Sequence, residues 1–191
     1  MPRWEYPICN LCGSSKYKIF HKNLTTWEHK GRFRVVKCAK CSLVYTHPRP
    51  RSGFISDYYL EPTYWGESAR DLAVEREKGY KDIYKYILKN KQKGKILDIG
   101  AGTGLFLTKF KELGWEVDGV ELSKYAVNFA EKKYGIKLKT GDFLDFYYPK
   151  SQFDVVSLNG SLEHLYKPRE TLELVERVLK GDGLLIITVP N

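Results

Sequence analysis

The stretch Leu97-Asp98-Ile99-Gly100-Ala101-Gly102-Thr103-Gly104 sets three alternating glycines between an apolar run and a helical pattern. A strand from Lys95 to Ile99 delivers the chain to the carboxyl edge of a sheet, where residues without side chains let the backbone turn sharply and approach a ligand closely. Leu105 to Leu113 then reads as a helix closed by Gly114, so a ligand at the turn meets a helix N-terminus. Strand, glycine turn and helix in that order place the chain in the α/β class and predict a site for a nucleotide-bearing cofactor.

The spacing separates one cofactor class from another. A dinucleotide fingerprint needs glycine at 105, where this chain has Leu105, and a Walker A loop needs a Gly-Lys-Ser/Thr ending that is absent. Farther on, Trp115 to Val120 alternates as a second strand that ends at Glu121, 17 residues beyond Gly104. An acid at that place suits a ribose, because a carboxylate accepts from two vicinal hydroxyls. A short strand, Ile136 to Lys139, precedes Gly141-Asp142-Phe143, and Phe153 to Leu158 forms a fourth strand. Asn159-Gly160-Ser161-Leu162-Glu163-His164-Leu165-Tyr166-Lys167-Pro168 follows it, then a helix from Arg169 to Leu179. Lys180 to Gly183 reads as a turn into a fifth strand, Leu184 to Val189.

The pattern D-x-G-x-G-x-G at 98–104 resembles motif I of the class I S-adenosylmethionine (SAM) methyltransferases, and Glu-His-Leu followed by Pro168 resembles a loop of their ubiquinone- and sugar-type members. The resemblance implies a Rossmann-like sheet and SAM as cofactor. It places Asp98, Gly100, Ala101, Gly102 and Gly104 around the methionine moiety, Glu121 with Leu122 at the ribose, Asp142 with Phe143 at adenine, and Asn159 along the cofactor pocket. His164 is a candidate general base, since imidazole titrates near neutrality and methylating a hydroxyl or a carbon acid removes a proton; its other reading is a histidine that anchors the turn. The family's sheet has seven strands in the order 3-2-1-4-5-7-6, and five are found here. The expectation is therefore an incomplete sheet whose apolar fifth strand is covered by further chain, by a second copy or by a partner.

All four cysteines lie in two C-x-x-C pairs, Cys9/Cys12 and Cys38/Cys41, with 25 residues between them. Each pair offers two thiolates and an intervening hairpin brings the pairs together, which predicts a structural zinc ribbon with a closed coordination sphere. Disulfides are the other reading, and a reducing compartment opposes them. His21, His29 and His47 lie nearby and are read as solvated surface residues, since four cysteines suffice. Arg32 to Val36 alternates as the strand entering the second pair, Leu43 to Tyr45 leaves it, and Pro48 and Pro50 mark a linker.

The formal charge of +9 is confined to this region: residues 1–51 carry eleven Lys and Arg against two acids, whereas residues 52–191 carry 21 of each. A basic small domain suits phosphates of RNA, DNA or a nucleotide-linked substrate, with a merely solvated lysine surface as the alternative. Tyr58-Tyr59 and Tyr64-Trp65 resemble the aromatic segment between ribbon and core in zinc-ribbon small-molecule methyltransferases, a lid over the cofactor or ordinary packing. With 191 residues and 42% apolar content the chain divides into a ribbon (1–51), an aromatic linker with a helix from Ser68 to Asn90 (52–93), and a SAM-binding α/β domain (94–191). Its longest apolar run, Leu184 to Val189, is far below the roughly 18 residues of a membrane span, and with no secretory signal core the expected location is the cytoplasm. The expected activity is methyl transfer to a hydroxyl or carbon of a sugar- or quinone-like small molecule. The alternatives are an RNA methyltransferase that uses the basic ribbon and a non-catalytic remnant that serves as a binding module.

Overall fold

A computed structural model describes residues 4–24, 33–52 and 68–190. Trp27, His29, Tyr58, Tyr59, Tyr64 and Trp65 lie outside the described residues, as do the side chains of Phe33, Leu72, Glu75 and Arg76. The chain forms two compact units, residues 1–57 and 58–191.

In the N-terminal unit the alternating segments on either side of the second cysteine pair become β3 (Phe33–Cys38) and β4 (Val44–Thr46), and β2 (Tyr17–Leu24) joins them in an antiparallel sheet ordered β2-β3-β4. The ladder puts Lys18 opposite Lys37 and Ile19 opposite Val36, with a register shift between Ile19 and His21. Two short strands, β1 (Trp4–Glu5) and β5 (Arg49–Pro50), pair antiparallel and are clamped by Arg49 Nε to Glu5 Oε1 at 2.6 Å. His47 departs from the solvated reading. It is buried, its ring packed 4.5 Å from that of Tyr17 and 5.5 Å from that of Tyr6, and burial lowers its pKa.

The described part of the second unit runs through α1 (Ser68–Asn90), β6 (Lys95–Ile99), α2 (Leu105–Glu112), β7 (Glu116–Glu121), α3 (Lys124–Tyr134), β8 (Lys139–Thr140), β9 (Phe153–Asn159), α4 (Pro168–Val178) and β10 (Leu179–Thr188). The sheet is parallel throughout, in the order β10-β9-β6-β7-β8. Successive strand residues feed opposite faces, as the strand period requires. Ile96 and Val155 face α1 and α2 through Ile87, Phe106 and Phe110, whereas Leu97 and Val156 face Phe143, Tyr148, Val175 and Val178 on the other side. A run of edge-to-face and stacked rings, Tyr80, Tyr84, Phe106, Phe110 and Trp115, fills the first face at centroid distances of 4.9–5.6 Å.

Two strands differ from their sequence limits. β8 pairs only at Lys139 and Thr140, while Ile136 and Leu138, read as strand, sink into the core as single chain ahead of the ladder. β10 starts at Leu179, so Lys180 to Gly183 is a bulge inside a strand rather than a turn before one: Leu179 pairs with Phe153 and Leu184 with Val155. The charges within the bulge have partners, Lys180 with Asp154 at 2.8 Å and Asp182 with Lys91 at 2.6 Å, so the polar sequence stays in the sheet. α4 starts at Pro168 itself, where a missing N–H costs nothing.

Candidate functional site: a glycine turn at the sheet edge and a four-cysteine cluster

In the α/β unit β7 and β8 extend the sheet to one side of β6, while β9 and β10 extend it to the other, so the strand order reverses between β6 and β9. A crevice opens at the carboxyl ends there, the usual ligand position in open α/β sheets. The glycine turn lies at this point. Gly100, Gly102 and Gly104 have φ of 76°, 54° and 75°, left-handed values that a side chain resists. At Gly100 a Cβ would also lie 2.6 Å from the Cβ of Ser161. Gly104 caps α2, whose first N–H groups face the turn.

Asp98 and Glu121 are the buried acids of the site, 2% and 8% exposed. Asp98 Oδ1 accepts from Ser157 Oγ at 2.7 Å and from Asn159 Nδ2 at 3.4 Å, bonds that cross the switch from β9 to β6. Burial raises the Asp98 pKa to about 7 against those two bonds, which lower it. Glu121 Oε2 accepts the N–H of Gly102 and Oε1 that of Ser123, both at 2.9 Å. Burial raises its pKa as well, with these N–H groups opposing. The Leu122 N–H also acts on the carboxylate, and with about four acceptor positions on its two oxygens Glu121 keeps room for a further donor.

The remaining sequence candidates distribute unevenly. Ala101 is buried in the turn, and its N–H, like that of Gly100, donates to Val120 O. Leu122 is exposed beside Glu121. Gly141 N–H donates to Glu121 O at 3.0 Å, which ties the third strand end to the second, and Asp142 Oδ1 caps the following 3-10 turn at Leu144 N, 2.9 Å. The Phe143 ring, 2% exposed, stacks in the core against Tyr148, so what this residue offers at the edge is its backbone. Asn159 Oδ1 is buried without a partner next to Asp98. His164 is on the 3-10 turn Leu162–His164, exposed, with Nε2 4.0 Å from Glu163 Oε1.

Sequence reasoning passed over Ser157, Ser161 and Ser123. Ser161 Oγ donates to Ile99 O at 2.6 Å and pins the β9 loop to the glycine turn, and Ser123 caps α3 through Ala126 N. A hydroxyl inside the apolar run Val155-Val156-Ser157-Leu158 was the available signal.

The second cluster lies in the N-terminal unit. All four cysteine Sγ atoms are within 4.8 Å of one another, with Cys9–Cys41 at 3.5 Å and Cys12–Cys38 at 3.6 Å. A tetrahedron with metal–sulfur bonds of about 2.3 Å has edges of about 3.8 Å, so the thiols already stand at the corners zinc requires. The two C-x-x-C turns repeat one geometry. Gly13 N–H bonds to Cys9 O and Ser42 N–H to Cys38 O, and the residue after each pair is left-handed, φ 70° at Gly13 and 66° at Ser42. The N–H groups of Cys41 and Lys40 lower the Cys38 thiol to about 6 against desolvation, whereas Cys41, in spite of the Leu43 N–H, is raised to about 12 by desolvation and by the other three thiols, so negative charge settles first on Cys38.

Residues 72–191 match the family described as a methyltransferase domain. The chain belongs to that family. A SAM-dependent methyltransferase of Archaeoglobus fulgidus superposes on this chain with a TM-score of 0.54 and 31% identity, covering 61% of this chain and 53% of that one. The human EEF1A lysine methyltransferase 2 is 31% identical over 112 residues, 50% of this chain and 47% of its own length. The mitochondrial ubiquinone biosynthesis O-methyltransferase of Schizosaccharomyces pombe is 30% identical over 101 residues, 49% of this chain and 37% of its own. The chain spans about half the length of the curated relatives it matches. The second unit is therefore a class I methyltransferase domain whose five-stranded parallel sheet has the order that the glycine motif implied. Among the described residues no helix is long and apolar enough to cross a membrane.

Proposed function

We propose that the chain binds SAM at the glycine turn and directs methyl transfer to a hydroxyl or carbon of a sugar- or quinone-like small molecule, with a structural zinc in the N-terminal unit. The observation that carries the cofactor reading is Glu121, a buried carboxylate tied by backbone N–H groups to the glycine turn at the edge of the sheet, with acceptor capacity left for a further donor. When bound, SAM supplies a methyl group on a sulfonium with a neutral thioether as leaving group. Glu121 would hold the ribose hydroxyls, Asp98 and Asn159 would lie toward the cationic methionine end, and Asp142 with the Phe143 backbone would border the adenine. Orientation supplies most of the rate when the leaving group is this good, so the chain's task is to hold an acceptor in line. His164, exposed at the loop after β9, takes the acceptor's proton. Cys9, Cys12, Cys38 and Cys41 fit zinc by donor type and spacing and leave it no open position for chemistry. A small acceptor is favoured by the loop resemblance at Glu163-His164-Leu165, while the matched relatives include one named for O-methylation in ubiquinone biosynthesis and one named for a protein lysine.

Calorimetric titration of the zinc-loaded chain with SAM and with its demethylated product tests the cofactor site. Binding of both, lost in Glu121→Ala, is the expected result, and a folded Glu121→Ala protein that binds SAM as tightly as the parent overturns the ribose assignment. His164→Ala should keep the binding and lose turnover on any acceptor found.

A further inference from the structure

The N-terminal sheet has one face turned to the cysteine cluster and one left open. Val36 and Cys38 are buried on the first. On the second the ladder aligns Lys18 with Lys37 and Lys37 with Val44, and His21 with Val35 and Val35 with Thr46. Lys18, His21, Lys37 and Thr46 are exposed, as are Phe20 at 57% and Val44 at 45%. Like charges directly opposite each other in a ladder repel, so the Lys18–Lys37 pair costs stability unless an anion lies over it. The unit provides none among its described residues: its one described acid, Glu5, is held by Arg49. The full sequence adds only Glu28 and Asp57 to that unit against eleven cations.

We propose that this open sheet face, Lys18 beside Lys37 with the rings of Phe20 and His21 next to them, binds single-stranded nucleic acid. Paired ammonium groups suit phosphates of a flexible backbone, and an exposed ring in the plane of a sheet suits a base, which stacks on it without regard to sequence. Phe20 and His21 stand edge-to-face at 5.4 Å, an arrangement in which one ring covers a single face of the other and the remaining faces are left for such contacts. The arrangement disfavours a lipid surface. Phe20 is on β2 and Val44 on β4, and Lys37 of the intervening β3 pairs with both Lys18 and Val44, so charge interrupts the apolar area that a bilayer would need. This inference goes beyond the methyl-transfer reading, and its test needs neither SAM nor turnover, so each can fail alone.

The test is fluorescence anisotropy of the whole zinc-loaded chain with labelled oligouridine and oligothymidine of about 12 nucleotides, beginning near 50 mM salt, where phosphate contacts are strong. Binding is expected to weaken with salt. Lys18→Glu with Lys37→Glu should weaken it at least tenfold and reduce the log–log salt slope by about 1.4, two phosphates' worth for a single strand. Phe20→Ala should weaken it at least about fivefold with the slope unchanged. Lys132→Glu with Lys133→Glu, on α3 of the other unit, should change neither. RNA against DNA tells which strand chemistry is preferred. Absence of binding near 50 mM salt, equal loss in the α3 control, or equally tight capture of anionic vesicles or polyglutamate with the same sensitivity to Phe20→Ala would each overturn the proposal. Zinc content and circular dichroism establish that every variant is folded.

Discussion

Ser42 has φ of 66° at the position where the first cysteine turn has Gly13. A left-handed conformation costs a residue with a Cβ roughly 1–2 kcal/mol, part of which glycine returns as a more flexible unfolded chain. Ser42→Gly is therefore expected to raise the thermal stability of the zinc-loaded unit by up to about 1 kcal/mol; a loss on melting would assign the hydroxyl a role of its own. Asp98 poses the opposite problem. Its folded pKa of about 7 lies above its ordinary value of 3.8. The folded state thus holds the proton longer than the unfolded chain, and stability is greatest below the unfolded value and declines as pH rises toward 7. Asp98→Asn should remove that decline, gaining on the order of 4 kcal/mol above pH 7 at most, and denaturant melts from pH 4 to 8 would measure it. An unchanged pH profile would mean Asp98 is ionised in the crevice. The glycines and Glu121 were legible in sequence because few residues tolerate their positions. Ser157 was not, since a lone hydroxyl in an apolar strand does not announce which face it takes or that a carboxylate waits across the ladder.

At the scale of elements, the strands that carry the site depend on one close contact. A Cβ on Gly119 of β7 would lie 2.6 Å from Leu138 Cδ2 and 3.1 Å from both Ala101 Cβ and Leu107 Cδ1. Its φ is ordinary, so the obstruction is purely one of space. Gly119→Ala should cost about 1–3 kcal/mol by overpacking and weaken SAM binding, because the displaced Ala101 is part of the turn. Leu138→Ala in the same protein should restore part of both, and additive losses in the double variant would refute the contact as the cause. Hydrophobic alternation located β6, β7 and β9 to within a residue because those strands are paired on both sides. It misjudged β8 and β10, the outer strands. There Lys180-Gly181-Asp182-Gly183 has every local mark of a turn, and only the tertiary pairing of Lys180 with Asp154 and of Asp182 with Lys91 keeps it in the sheet.

The molecule as a whole divides its stabilisation between two unlike sources. The α/β unit has an aromatic and aliphatic core on both faces of its sheet, while the N-terminal unit buries little beyond Val36, Cys9, Cys38 and His47 among its described residues. A unit with so small a core is marginal on burial alone, and the proposed zinc would supply the missing stability. Calorimetry is expected to show two transitions, one lowered by a strong chelator and one raised by SAM. A single transition unmoved by chelation would rule out the zinc reading. Cysteine spacing and the charge imbalance, properties of composition along the chain, set the N-terminal region apart in the sequence. That His47 belongs to the small unit's interior was not legible there, because the rings against it include Tyr6 and Tyr17, distant in sequence, as well as the nearby Tyr45.

Pairing of β1 with β5 brings residues 4–5 against residues 49–50, so the path into the small unit and the path out of it leave side by side. A module with adjoining ends is portable: it can be cut out, or spliced into a loop of another protein, without stretching its host. The cysteine unit is in this sense a cassette, one that a genome can attach to different catalytic domains without redesigning either.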